Sequence, residues 1–476
     1  YDRIYLDLHK NSLHFQLQGD YDLSKSIADI SGFKFVVKDL LSLEAKGQIT
    51  DPMLRRSCRL HLRLPQMQLK PTFELLFKDP LKQEMPFLAA LDMGGDFTAE
   101  MEFQKENEGW RLLGHCAWRE GKLLGKGFAI EGIELDLPFW GQLPEAWAGS
   151  SFKSSFPFSA GLKREGALFV QSMTLPYLPK QSFAARTHTS PNSISFIPEG
   201  SIQTAVGKIE LGPTSLNELF TPCPCLMTSA TLKEGDLAPM LSELWSHPVQ
   251  GSIQGKLDAV RFDCDRIQTK GNVAVRVFGG EALLSRLGVS GVLGSTPTLL
   301  LDATWKDMNL AELTEGTPFE KIEGILKGRV EHLEMVGNEP QRFDLFMETV
   351  KTGQEPQKIS VRALENIARL GGSESPFIGL AGAFTSLFGE FPYDKIAIQA
   401  SLENDVFRID GPLREGNKVY LVKRSGLSGV NVVNQDPGRR LSFKDMVKRI
   451  KRVGAAQQGP PGQEEPSRSE NDELRD

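Results

Sequence analysis

Histidines, cysteines and paired carboxylates build most catalytic and metal sites. This chain has 7 histidines and 5 cysteines in 476 residues. Cys223 and Cys225 form a lone Cys-x-Cys with no second Cys/His pair near it in sequence. Structural zinc needs four ligands, so no metal site is expected there. Cys58, Cys116 and Cys264 lie far apart in the chain, and five cysteines in so long a chain do not make a disulfide scaffold. His115 adjoins Cys116, and His332 lies between Glu331 and Leu333. Both histidines read as residues on the polar face of a strand. No G-x-S-x-G elbow, G-x-x-x-x-G-K-[ST] loop, G-x-G-x-x-G turn or H-E-x-x-H pair occurs. Carboxylates are plentiful but fall on wet strand faces or in turns. A glycosidase pair can be far apart in the chain, and nothing here points to one. The residues therefore point away from an enzyme and imply no cofactor.

The elements that would position any site are strands. Leu13, Phe15 and Leu17 alternate with His14, Gln16 and Gln18. The same period of two recurs at Leu60, Leu62 and Leu64, at Phe97, Ala99, Met101 and Phe103, and at Ile133, Leu135 and Leu137. It returns at Val273, Val275 and Val277 and at Ile396, Ile398, Ala400 and Leu402. Each such strand has one apolar and one wet face. Turn signals separate them: Glu-Gly-Lys at 120–122, Lys-Gly-Asn at 270–272, Glu-Asn-Asp at 403–405 and Arg-Glu-Gly-Asn at 414–417. Helical patterns are few: 216–220, 240–245, 361–370 and the Phe/Leu/Gly segment 376–388.

No fixed period of 40–50 residues suggests a propeller, and 6 Trp with 6 Tyr are too few for the aromatic girdles of an outer-membrane barrel. The pattern predicts a mainly β chain: an elongated, curved antiparallel sheet with one apolar face and a few short helices. That face is either a protein core or the lining of a groove for an apolar ligand, and periodicity alone leaves both open. Lys+Arg 55 against Asp+Glu 61 gives a net charge of -6, which disfavours nucleic-acid binding. No run approaches the ~20 apolar residues of a membrane span. The chain starts at Tyr1 in what reads as mid-strand, so it is expected to be the C-terminal part of a longer protein.

Residues 439–453 read as a basic amphipathic helix. Ser442 is the expected N-cap, with Asp445 three residues on. Phe443, Met446, Val447 and Ile450 share one face, and Lys444, Lys448, Arg449, Lys451 and Arg452 cover the rest. The helix either lies on an anionic membrane surface or packs on the sheet edge as a terminal helix with a solvated basic face. Residues 454–476, rich in Gln, Gly, Pro, Glu and Ser, read as a disordered acidic tail. The expected divisions are a β-rich segment 1–250, a second β segment 251–438, the helix and the tail.

Between 273 and 440 the order of several short motifs resembles the AsmA-like superfamily. These are Val-Arg-Val-Phe-Gly-Gly (275–280), Asn-Leu-Ala-Glu-Leu-Thr (309–314) and the strand 319–333 punctuated by Gly324 and Gly328. Arg342-Phe343-Asp344-Leu345 follows, then the stretch from Tyr420 to Asn434-Gln435-Asp436-Pro437 that leads into the basic helix. The likeness covers about a third of the chain and is nearest to the YdbH branch, beside the TamB and YhdP types. It implies a bridge-like lipid-transfer protein of the Gram-negative cell envelope, involved in outer-membrane biogenesis. Such a protein is periplasmic and anchored in the inner membrane by an N-terminal segment not in this chain. The sheet would form an open U-shaped groove, a β-taco, along which phospholipid acyl chains pass between inner and outer membranes. Lining candidates are then Leu60, Leu62, Leu64, Ile133, Leu135, Leu137, Val273, Val275, Val277, Ile396, Ile398 and Leu402. The alternative is an envelope scaffold that pairs its β-edge with an outer-membrane or periplasmic protein partner.

Overall fold

The computed structural model describes residues 12–447 apart from 39, 52–56, 80–90, 107–108, 126, 144–164, 176–177, 191–192, 219–223, 243–247, 264, 293–295, 316, 318–320, 338, 354, 371–388, 427–428 and 439. Within that span the chain is mainly β and antiparallel, with a few short helices. It separates into two compact units, with the principal division at Leu301/Asp302. Unit 1 holds residues 1–244, 248–276 and 283–301; unit 2 holds 245–247, 277–282 and 302–476.

The first strands are β1 (Leu13–Asp22), β2 (Ile27–Val37), β3 (Leu41–Thr50) and β4 (Ser57–Gln68). Helix α1 (Leu69–Phe73) and a π-turn (Glu74–Lys78) follow, a helical stretch that the sequence pattern did not announce. Then come β5 (Asp92–Glu106), β6 (Gly109–Gly125), β7 (Phe128–Leu143), β8 (Glu165–Thr174), β9 (Gln181–Ser190) and β10 (Ser193–Glu199). From β1 to β10 each strand pairs antiparallel with the next, a meander in which neighbours in sequence are neighbours in space. Short strands β11 (Ile202–Gln203), β12 (Gly207–Leu211) and β13 (Thr214–Asn217) lead to β14 (Cys225–Asp236), which pairs with β12, β13 and β15 (Gly251–Asp263). Helix α2 (Ala238–Leu241) lies between β14 and β15; β16 (Arg266–Val277), β17 (Gly280–Ser290) and β18 (Thr298–Asn309) follow.

Several sequence expectations are corrected here. Residues 214–217 are strand, not the start of a helix. The turn signal at 120–122 is a bulge inside β6: the register to β7 shifts at Gly121, and Glu120 takes φ 49° while its N–H donates to Glu134. The signal at 270–272 likewise lies inside β16, where Gly271 (φ 120°) lets the backbone of Lys256 approach closely. Glu-Asn-Asp at 403–405 is a true hairpin turn, with Asn404 and Asp405 both at positive φ (48° and 68°), the type I′ geometry that matches strand twist. The stretch 414–417 also turns, between β24 (Leu413–Glu415) and β25 (Lys418–Arg424).

Unit 2 has a closed core. Helix α3 (Leu310–Thr314) is N-capped by Asn309, whose side chain accepts from the Ala311 and Glu312 amides. Strands β19 (Ile325–Val336) and β20 (Glu339–Val350) form a hairpin; β21 (Lys358–Ser360) leads into helix α4 (Val361–Leu370). The long strand β22 (Glu390–Glu403) pairs with β21 and β25 in its first half and with β20 and β23 (Val406–Asp410) in its second. Strands β26 (Val432–Asn434) and β27 (Leu441–Ser442) complete the unit. Because β22 changes partners midway, both its faces are covered around Ile396, Ala397 and Ile398. The expected helix 361–370 is α4; Ser360 caps it, and Ala363, Leu364, Ile367 and Ala368 are buried on one stripe. The segment 376–388 lies outside the described residues.

Aromatic rings lie over glycines at several cross-strand positions. A Cβ on Gly328 would stand 2.6 Å from Trp305 Cζ2, and one on Gly114 would stand 2.4 Å from Phe139 Cζ. Gly114→Val is expected to displace Phe139 and to destabilise unit 1 by about 1–3 kcal/mol, measured by denaturant unfolding.

Candidate functional site

Residues opposite each other in an antiparallel pair share a face of the sheet. In unit 1 the registers therefore define rows that cross the strands. One row is Leu17, Phe33, Ala45, Leu62, Met101, Gly114 and Phe139, one residue from each of β1 to β7. A second is Leu64, Ala99, Cys116 and Leu137. A third is Met67, Phe97, Trp118, Leu135, Leu168, Ala185 and Pro198, from β4 to β10. None of these residues is charged, and each seven-strand row covers about 29 Å at the usual strand spacing.

The opposite face is charged. Lys34 lies 3.7 Å from Glu44, Arg59 3.7 Å from Glu102, His61 3.2 Å from Glu100 and Arg119 2.9 Å from Glu134. His115 bonds Asp136 on that side. Exposed pairs of this kind add little stability; they mark which face meets water. The Glu120 amide and the Arg119 guanidinium hold the Glu134 carboxyl below its usual range.

The apolar face is unevenly covered. Phe33, Ala45, Leu60, Leu62, Leu64 and Met101 are half-buried, while on β1 Phe15 is 60% exposed. Ala99, Cys116 and Leu137 are buried, and Ile194 of β10 packs against that cluster. The apolar side of β5–β7 thus turns toward that of β10.

The sequence candidates fall into three groups. Leu60, Leu62, Leu64, Ile133, Leu135 and Leu137 lie on this one face; Leu64 and Leu137 belong to the same row, and Ile133 continues to Val170 and Phe183, but Ile133 and Leu137 are buried, at 5% and 8% exposure, and only the other four are open to a ligand. Val273, Val275 and Val277 on β16 are half-buried, and Val273 lies over Gly255 of β15. Ile396, Ile398 and Leu402 are a correction. They are 6%, 5% and 2% exposed in the core of unit 2, where protein atoms occupy the space an apolar ligand would need. Sequence reasoning did not single out Phe33, Trp118, Leu168 or Ala185 as lining residues. The period-two run Phe33, Phe35, Val37 was a usable signal for the first of them.

The chemistry-bearing residues do not converge. His115 and Cys116 are neighbours in β6 and project to opposite faces. Burial pushes the Cys116 thiol up to about 11, with Asp136 adding to the effect, so it is not a thiolate at neutral pH. His332 sits in a bulge of β19 (φ 55°), with its ring 3.2 Å from Asp344. No group of three metal-ligating side chains occurs among the described residues. Cys225 is a buried free thiol; Cys223 and Cys264 lie outside the described residues.

The terminal helix begins as expected. Ser442 caps it, accepting from the Asp445 amide at 3.2 Å, and residues 443–447 are helical. Asp405 grips the same turn, accepting from the Lys444 amide at 2.9 Å and the Ser442 hydroxyl at 2.8 Å. The Phe443 ring packs on Phe407 and Phe343, with centroids at 5.7 Å and 6.2 Å. Met446 and Val447 are half-buried and Lys444 is exposed; Lys448, Arg449, Ile450, Lys451 and Arg452 lie outside the described residues.

The Lys444 amide and the Ser442 hydroxyl hold the Asp405 carboxyl below its usual range. A depressed carboxyl stabilises the folded turn above its unfolded pKa of about 4 and loses that effect as pH falls through the folded value. Hydrogen-exchange protection of the Lys444 amide is therefore expected to hold at neutral pH and to fall below about pH 4. Asp405→Asn should flatten that dependence.

No family model, no curated protein and no solved structure matches the chain.

Proposed function

We propose that the apolar face of unit 1 binds lipid acyl chains. On this reading the protein is a non-enzymatic bridge that passes phospholipids between inner and outer membranes along an open, U-shaped β-groove. It would work in the periplasm of a Gram-negative bacterium, held to the inner membrane by a segment N-terminal to this chain.

The observation that carries the reading is the uncharged row from Leu17 to Phe139, unbroken over seven strands and only half-buried through its middle. A protein that needed only a core would gain by covering those side chains. An acyl chain gains ~0.8 kcal/mol per buried CH₂. A lining without polar breaks keeps that gain nearly constant along the path, so a chain can slide while its headgroup stays in water. A photo-crosslinking side chain placed at Met101 is expected to capture phospholipid, and one at Glu100 on the opposite face is not. Equal labelling at both positions would sink the reading.

One observation favours a second reading, the edge-pairing scaffold. Among the described residues β1 pairs only with β2, and it presents Leu13, Phe15 and Leu17 well exposed. An unpaired edge of that kind can accept a strand from an envelope partner. In that case the crosslinker would capture protein at β1 and no lipid at Met101.

A further inference from the structure

The charged face of unit 1 carries a depression of about 380 Å³ over β1 to β5. Its cause is local. Between Ile30 and Phe33 the register of β2 slips against β3, so Ser31 and Gly32 together stand opposite Lys46. The Ser31 hydroxyl donates to the Gln18 carbonyl at 3.2 Å and pins the bulge to β1. Gly32 pairs with Gln18 and brings no side chain to the face. A Cβ built on it would meet only the Gln18 Cβ, at 4.0 Å. The bulge thus leaves a gap between Gln18 on one side and Lys46 and His61 on the other.

The groups around the gap are unequally engaged. Of the two acids on the depression, Glu44 stands 3.7 Å from Lys34 and Glu100 3.2 Å from His61. Lys46 and Arg63 are exposed, and among the described residues neither has a carboxylate within 4.0 Å. Arg63 lies two residues beyond His61, the partner of Lys46, on the same face. The two unneutralised cations are therefore diagonal neighbours, about 7–8 Å apart at the backbone. On the β1 side the Gln16 and Gln18 amides make no side-chain hydrogen bond among the described residues. The depression offers two cations on one side and two unused amides on the other, within a chain of net charge -6. Its volume suits a small ligand. Two converging cations match a phosphate monoester, which carries nearly two charges at neutral pH. Side-chain amides both donate to and accept from hydroxyls.

We propose that this depression binds a small phosphate monoester on a hydroxyl-rich body, a sugar or polyol phosphate. Lys46 and Arg63 take the phosphate, and Gln16 and Gln18 take the hydroxyls. The site lies on the face opposite the acyl row and does not rest on lipid binding there. The same chemistry can arrive free or as a lipid headgroup.

Titration calorimetry of the whole chain with glucose 6-phosphate, glucose and inorganic phosphate tests the site. Co-sedimentation on phosphatidylcholine vesicles, with and without phosphatidylinositol 4-phosphate, tests the source. Glucose 6-phosphate is expected to bind at one per chain, more tightly than inorganic phosphate, and glucose not at all. Lys46→Gln combined with Arg63→Gln should weaken binding on the order of 100-fold. Gly32→Leu should abolish it with every charge in place. Gly32 is outside the left-handed region and faces open space, so that side chain fills the gap without breaking the strand; thermal unfolding checks this. Lipid retained through native mass spectrometry should be the same in wild type and both variants, which separates this site from the acyl row. Binding to the phosphoinositide vesicles but not to the free ester, lost again in Gly32→Leu, would assign the phosphate to a lipid headgroup. Equal binding of glucose, binding unmoved in either variant, or no binding of either form of the phosphate would overturn the proposal.

Discussion

Leu62→Asp is expected to strip acyl chains from the protein while unit 1 stays folded. Leu62 stands in the middle of the seven-strand row, between Ala45 on β3 and Met101 on β5. It is half-buried, so a carboxylate there keeps water in the empty protein and costs unit 1 about 1–2 kcal/mol. A lipid chain lying across the position would have to dehydrate that carboxylate, which costs several kcal/mol. Leaving the site bare would instead forfeit about four CH₂ contacts at ~0.8 kcal/mol each. Either way retention should fall by more than about 100-fold. Extraction and quantification of co-purified lipid measures it, with thermal unfolding as the control for fold. Wild-type lipid content in a folded Leu62→Asp protein would remove the row from any lipid path.

The second large effect lies in unit 2 and has a different readout. Ile398→Asp is expected to unfold that unit. Ile398 pairs with Met347 on β20, at the stretch where β22 passes from one set of partners to the other. It is enclosed along with Leu364, Leu421 and Val422. A carboxyl at a position only 5% exposed must either stay charged in the core or take up a proton, and both cost several kcal/mol. A loss above about 4 kcal/mol is expected, enough to abolish a separate unfolding transition for a domain of ordinary stability. Denaturant unfolding, with hydrogen exchange read over α4, measures it. Ile398→Val should cost only about 1 kcal/mol. An Ile398→Asp protein as stable as wild type would return this position to an open lining.

The contrast between Leu62 and Ile398 shows what was legible in the sequence. Both sit in runs of period two, and both runs are strands as that period predicts. The mainly β, antiparallel class with few helices follows from many such runs, and α4 follows from its own stripe of apolar residues. Covering is what local pattern does not encode. Whether an apolar face is closed depends on which strands and helices fold over it. For Ile398 that is decided by β20 and β25, the strands that β22 pairs with in turn, both remote in sequence from it. The turn signals failed for a related reason. Gly121 and Gly271 carry the same residue types as true turns, yet they serve as a bulge and a close approach within strands. Only the registers tell these apart from the hairpin at Asn404–Asp405. The rows themselves were half legible: each strand's apolar set can be read, but the alignment of Leu62 with Met101 depends on bulges near Glu44 and Leu64 that shift the pairing.

The measurement that bears most directly on the proposed function is native mass spectrometry of the purified protein, with lipid extraction alongside. Phospholipid bound at more than one molecule per chain, lost in Leu62→Asp and retained in Arg63→Asp on the opposite face, is the expected result. A protein that is empty as purified and takes up no phospholipid from vesicles would contradict it, and the exposed edge of β1 would become the surface to pursue.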